Sequence, residues 1–223
     1  MKINALIRTL CFGAALSAGS LFANTVVLTD TANDGDFNGG EFKATTDSSW
    51  TFFTFCLEHG VSVNLGTTYN YTLHNSTAFG GGYDPRNSTP GDPISKGTAW
   101  LFEAFYKGYL VDTDGVGTYF DAGTHGGLSA RDYNAGQLQK AIWHLEDEIV
   151  DPTNFYVQLV EGIFGAAAAY TNYTGSDVQV MNLWAIGTGD DVQSQLVFVP
   201  DNGMTAALLG LGLLSLAAFR RKL

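Results

Sequence analysis

The chain has 223 residues, 45% of them hydrophobic and only 15% charged, with a formal net charge of −11 at pH 7. With Lys2, Arg8, Arg220, Arg221 and Lys222 set aside, the body keeps Lys43, Arg86, Lys96, Lys107, Arg131 and Lys140 against a large excess of acids. Such a surface repels nucleic acid and anionic lipid, so no nucleic-acid partner is expected, and the length suits one domain with a proper core.

Residues 1–23 read as a secretory signal peptide: Lys2 and Arg8, then an apolar stretch over 10–18, then the small residues Ser20 and Ala23. The apolar stretch is far short of the roughly 20 residues of a spanning helix, and cleavage is expected after Ala23. Residues 24–198 form the expected surface domain. Aromatic and β-branched stretches at 26–28, 50–57 and 68–73 read as strands. Asp92 and Pro93 resemble a cap and first helical position, with Leu101, Phe102, Phe105 and Tyr109 following at helical spacing. Asn134 with Gln137 resembles a capping box before Ala135, Leu138, Ile142, Leu145 and Ile149, and Asp151 with Pro152 opens a third helix toward Tyr170. Strands return at 178–186 and 193–199. Strands, then helices, then strands predict an α+β fold: a mainly β domain, sandwich or barrel, with a helical insertion.

The last 25 residues have their own character. Val199, Pro200, Asp201, Asn202 and Gly203 precede an uncharged run over 204–219, and Arg220, Arg221 and Lys222 follow. As an ideal helix the run would rise about 24 Å, somewhat less than a hydrocarbon core of roughly 30 Å. Its basic end is expected to stay cytoplasmic. Residues 199–223 resemble the PEP-CTERM sorting signal in its Val-Pro-Asp-Ser-Gly variety, with Asn202 in the place of Ser. The resemblance implies an exosortase-type processing enzyme as partner, transient anchoring in the inner membrane, and release to the cell surface or an exopolysaccharide matrix. The same run also has the form of a plain C-terminal anchor.

Cysteine counting isolates one residue. Cys11 falls in the signal peptide, so Cys56 is alone, and a lone exported cysteine is buried and inert, paired with another chain, or chemically special. Alternation puts Trp50, Phe52, Thr54 and Cys56 on one strand face. Burial among aromatics is expected to raise the thiol pKa. On the central helix, Gln139 lies one turn before Trp143, at the edge of the apolar face.

The segments Phe55-Cys56-Leu57-Glu58 and Leu138-Gln139-Lys140-Ala141-Ile142-Trp143 resemble the bacterial thioester domains of surface adhesins, with Leu138 in place of the family's Thr. That resemblance implies that Cys56 and Gln139 condense, with loss of ammonia, into an internal thioester. Trp50, Phe52, Trp100 and Trp143 are the expected shield against water. A sulfur leaving group would let a surface-protein amine or a polysaccharide hydroxyl attach to Gln139. This is single-use chemistry, not turnover, and needs no cofactor. A wider set, from Gly39-Gly40-Glu41-Phe42 through Phe55-Cys56-Leu57-Glu58, Thr98-Ala99-Trp100-Leu101 and Gln139 to Asn182-Leu183-Trp184, is similar to uncharacterised exported PEP-CTERM proteins. The alternative reading is a noncovalent structural or carbohydrate-binding matrix protein with an inert buried Cys56.

Weaker signals point elsewhere. Asp34, Asp36 and Asn38 imitate a calcium loop, but Thr45 stands where its terminal carboxylate belongs, and Asp112 with Asp114 reads as a turn. The four histidines lack metal spacing, so no metal is expected. His59 or His144 beside Cys56 would suit a Cys-His hydrolase, but no nucleophile signature surrounds the cysteine. Glu146, Asp147 and Glu148 are expected on a solvated helix face.

Overall fold

The computed structural model describes residues 24–31, 39–75, 77–78, 91–121, 123–125 and 128–199. The expected signal peptide, the calcium-like Asp34, Asp36 and Asn38, and the tail from Pro200 onward, including Asp201, Asn202, Gly203, Arg220 and Arg221, lie outside the described residues.

In chain order the strands are β1 Thr25–Asp30, β2 Phe42–Thr46, β3 Thr51–Thr54, β4 Thr68–Asn75, β5 Thr77–Ala78, β6 Asp92–Pro93, β7 Thr124–His125, β8 Leu128–Ser129, β9 Val178–Ala185 and β10 Asp191–Phe198. The helices are α1 Lys96–Tyr106, α2 Ala130–Leu145, α3 Phe155–Phe164 and α4 Ala166–Ala169. Six strands form one sheet in the order β10-β9-β4-β1-β2-β3, each neighbour antiparallel. This is the expected α+β, mainly β architecture.

Alternation explains the register. In β2, Phe42, Ala44 and Thr46 are buried while Lys43 and Thr45 are exposed, and β3 repeats the pattern with Phe52 and Thr54 inward. Val26, Leu28, Ala44, Phe52, Met181 and Leu183 gather into a cluster on one face. The other face, through Phe55, Val178, Val180 and Leu196, packs against Phe102, Phe105, Leu138, Ile142 and Val157 of the helices.

The two ends of the strand order meet. Leu196 N donates to Phe55 O at 3.1 Å and Leu57 N to Ser194 O at 3.0 Å, with Cys56 opposite Gln195 in an antiparallel bridge. These bonds close the sheet into a partial barrel, satisfying backbone groups that would otherwise form exposed edges. They also end β3 at Thr54, short of the strand expected through residue 57, because the chain there changes partner from β2 to β10. Cys56 is the middle residue of that seam.

The helix starts differ from expectation. Asp92 and Pro93 pair with Thr77 and Ala78 as a short ladder, and α1 is capped by Ser95, whose hydroxyl accepts from Thr98 N at 3.0 Å. Ser129 caps α2, accepting from Asp132 N at 3.1 Å, so the helix begins ahead of the expected capping box. Asn134 is buried inside α2, where its Oδ1 accepts from Thr113 Oγ1 at 2.9 Å. Asn154 rather than Asp151 caps α3, accepting from Tyr156 N, and Gly165, at φ 84°, ends it well before Tyr170.

Candidate functional site

The seam brings Cys56 and Gln139 together. Gln139 Oε1 accepts from Cys56 N at 3.0 Å and Gln139 Nε2 donates to Cys56 O at 2.8 Å, joining residues 83 positions apart. Both residues are 1% exposed. The geometry follows from the fold: Phe55 and Leu57 bond to β10 on one side, and α2 presents Gln139 to the main-chain N and O of Cys56, which point the other way. The carboxamide thus replaces a neighbouring strand for one residue.

The sulfur itself faces a different amide. Gln195 Nε2 lies 3.3 Å from Cys56 Sγ. Burial pushes the Cys56 thiol far above its ordinary pKa; the Gln195 bond opposes this and the charge of Glu58 adds to it. Among the described residues Cys56 is a free cysteine. Its burial shields it from solvent and disfavours the thiolate.

Glu58 is 5% exposed. Its Oε2 accepts from Ser194 N at 2.7 Å, and its main-chain oxygen accepts a short hydrogen bond from Gln193 Nε2. Desolvation raises its carboxyl to about 7, against the lowering effect of Ser194, with Glu148 contributing further repulsion. Among the described residues, the buried side-chain nitrogen and oxygen atoms with no hydrogen-bond partner are Glu58 Oε1 and Trp143 Nε1. Both belong to the surroundings of Cys56.

Phe42 and Trp143 form the apolar cover of Cys56. Gly39 lies against that cover: a Cβ there would meet Trp143 Cη2 at 2.5 Å and Gln139 Cγ at 3.0 Å. Glu41 fixes this approach, its buried carboxylate accepting from Arg131 Nη2 at 2.6 Å and from Tyr119 OH at 3.2 Å. The other aromatic residues expected as a shield pack elsewhere. Phe52 lies in the sheet's opposite cluster with the Trp50 ring tilted against it at 4.3 Å, and Trp100 packs near Tyr109 and Phe164 on the helical side.

A cleft of about 490 Å³ opens beside this cover, lined among others by Asp30, Gly39, Phe42, His59, Ser62 and Gln193. The exposed His59 ring meets Trp143 edge-on at 4.7 Å. His144 instead supports the α2–α3 turn, with Nδ1 accepting from Asp151 N at 3.1 Å and Nε2 3.0 Å from Tyr170 OH. The acidic run also departs from expectation: the Glu146 carboxyl turns inward to accept from Ser95 N at 3.0 Å, and burial raises it to about 7. Among the described residues no group of acids, histidines and cysteine could hold a metal ion.

Sequence reasoning gave Glu58, Gln193 and Gln195 no role of their own, although Glu58 ends the Phe55-Cys56-Leu57-Glu58 segment. The available signal was a strand carrying Gln193, Ser194 and Gln195 between apolar residues; a register shift between Val192 and Gln195 accompanies the burial of all three.

The VPDSG-CTERM motif matches residues 199–223. The chain is therefore an exported, cell-surface-directed protein carrying a PEP-CTERM-type tail, the substrate of an exosortase-type enzyme. No curated protein and no solved structure matches it. Val199, the first residue of the tail, is tied to the domain by its N–H, which donates to Asp177 O at 2.7 Å. Among the described residues no helix is long and apolar enough to cross a membrane.

Proposed function

We infer that this protein is displayed at the cell surface or in an extracellular matrix, where an internal thioester between Cys56 and Gln139 attaches it covalently to a partner. The observation that carries the reading is the buried, doubly hydrogen-bonded contact between the Gln139 carboxamide and Cys56. For condensation, Cys56 Sγ gives up its contact with Gln195 Nε2 and attacks the Gln139 carbonyl carbon, its proton passing to the departing nitrogen. The carbon–nitrogen bond breaks, ammonia leaves, and the sulfur becomes the acyl leaving group. A partner amine or hydroxyl then displaces it, forming an amide or ester with Gln139 and restoring the Cys56 thiol. The cleft beside Phe42 and Gly39 gives that partner an approach, and the cover of Phe42 and Trp143 slows hydrolysis. The hydrophobic run over 204–219 holds the chain in the inner membrane until the tail is removed.

The test is aminolysis of the full exported protein. Methylamine is expected to add once, at Gln139, and to free one thiol at Cys56; Cys56→Ala and Gln139→Ala should each abolish the adduct while retaining the fold. Absence of any adduct in the wild-type protein would remove the reading.

A second reading rests on the same bonds. Gln139 satisfies both main-chain groups of Cys56, and the sulfur's polar neighbour is Gln195, as suits a structural strut in a noncovalent matrix protein. Under it the thiol is titratable on denaturation and no amine is incorporated.

A further inference from the structure

A second cleft, of about 320 Å³, lies between α2, the start of α3 and the loop after α1, lined among others by Asp114, Tyr133, Gln137, Asp151, Asn154 and Phe155. Its volume is that of a small-molecule site. Tyr133 and Gln137, four positions apart, share one face of α2. Gln137 and Gln139 are two positions apart, so this cleft and the Cys56 contact draw on nearly opposite faces of the helix.

The walls are held in place by the chain itself. Asn154 Nδ2 donates to Gln137 O at 3.0 Å and to Gln137 Oε1 at 3.1 Å, joining α3 to α2, and Thr113 Oγ1 donates to Asn134 Oδ1 at 2.9 Å, joining the loop to α2. The groups on these walls are nevertheless incompletely used. With Gln137 Oε1 engaged, Nε2 is the donor end of that carboxamide. Asp114 Oδ1 accepts from Val116 N at 2.7 Å, which leaves Oδ2 as an acceptor. The half-buried Asp151 carboxylate receives long contacts, 3.4 Å from Thr153 Oγ1 and 3.5 Å from Asn154 Nδ2, at the limit of a hydrogen bond.

We propose that this cleft is a noncovalent binding site for a neutral polysaccharide, taking a sugar unit of a surface or matrix glycan. The proposal stands apart from the thioester and uses none of its residues. Among the described residues lining the cleft none is basic, which disfavours a phosphate, a uronate or any other anion. A metal ion is disfavoured too, because no group of acids, histidines and cysteine among the described residues could hold one. The lining is mainly polar, which does not suit a lipid or an apolar peptide. A neutral sugar uses every group present. Its hydroxyls donate charge-assisted bonds to Asp114 and Asp151, one of its oxygens accepts from Gln137 Nε2, and its C–H face rests on the half-buried Phe155 ring. Because the walls are already bonded to one another, little side-chain freedom is lost on binding.

The experiment measures reversible binding of maltohexaose, cellohexaose, mannohexaose and galactohexaose to the exported protein by ligand-observed NMR and calorimetry, with hexagalacturonate and calcium chloride as competing probes. At least one neutral oligosaccharide is expected to bind, and Asp151→Ala and Asp114→Ala should each weaken it about tenfold, the effect of losing a charge-assisted hydrogen bond. If Asp151→Ala does not fold, the exposed Asp114→Ala decides by the same measure. Binding of none of the neutral oligosaccharides overturns the proposal, as does binding that both variants leave unchanged. Tighter binding of hexagalacturonate than of any neutral chain, or binding of calcium alone, would assign the cleft to a charged ligand and overturn it as well. A protein that binds a neutral chain here yet never takes up methylamine keeps this site and loses the thioester.

Discussion

Between the sheet and its helices, Phe55, Phe102, Phe105, Leu138 and Ile142 are each 1% exposed or less and entirely apolar. One residue along the chain from Phe55, the seam buries Cys56, Glu58, Gln139, Gln193, Ser194 and Gln195 to nearly the same degree. The first region gains free energy for each area removed from water, whereas the second has to replace every lost hydrogen bond with water and leaves Glu58 Oε1 and Trp143 Nε1 without one. A seam selected for stability alone would be filled like the first region. Its polar residues instead bond one another and the Cys56 main chain, with Gln195 Nε2 on the sulfur, so local packing gives way there to a hydrogen-bonded network.

That contrast can be broken first from the apolar side. Phe102→Ala removes a fully buried ring from the helical interface and should cost about 3–5 kcal/mol, measured by denaturant unfolding. Because Phe102 does not touch the seam cluster, the folded fraction should still take up methylamine. Gly39→Ala should have a smaller effect on stability, about 1–3 kcal/mol, since its Cβ would press on Trp143 and Gln139. It should nevertheless suppress the amine adduct, because the displaced groups are those that cover and position the Cys56 contact. A normal yield of adduct from Gly39→Ala would separate the glycine approach from the chemistry.

Acidity sharpens the same comparison. Burial raises the carboxyls of Glu58 and Glu146 to about 7, so between about pH 4.5 and 7 the folded chain holds protons that the unfolded chain has released. Their contribution to stability is therefore complete below about pH 4.5 and is lost as pH rises to about 7. Glu146→Gln should flatten that part of the stability profile, measured by thermal unfolding at a series of pH values. It should leave the amine adduct unchanged, because Glu146 serves the start of α1 rather than the seam.

Much of the sheet was legible because alternation is local. Residues 68–73 and 178–186 nearly coincide with β4 and β9, whereas β2 was missed because Lys43, Thr45 and Thr46 leave little apolar signal in Phe42–Thr46. Helix starts shifted because Ser95, Ser129 and Asn154 won the capping positions from equally plausible neighbours. The pairing of Cys56 with Gln139 was legible only through family resemblance, since nothing in strand or helix periodicity specifies a contact across 83 residues. Glu58 and Gln195 depended on the closure of the sheet, and Glu146 on its turn toward Ser95. Both are tertiary outcomes that override the ordinary preference of Glu and Gln for solvent.

The central claim is tested most directly by the intact mass of the exported protein, purified at mildly acidic pH without amines or thiols. The account predicts a species lighter by one ammonia than its processed sequence, with the missing mass localised to a link between the peptides containing Cys56 and Gln139 and no titratable thiol after denaturation. The full sequence mass together with one freely titratable thiol at Cys56 would contradict it.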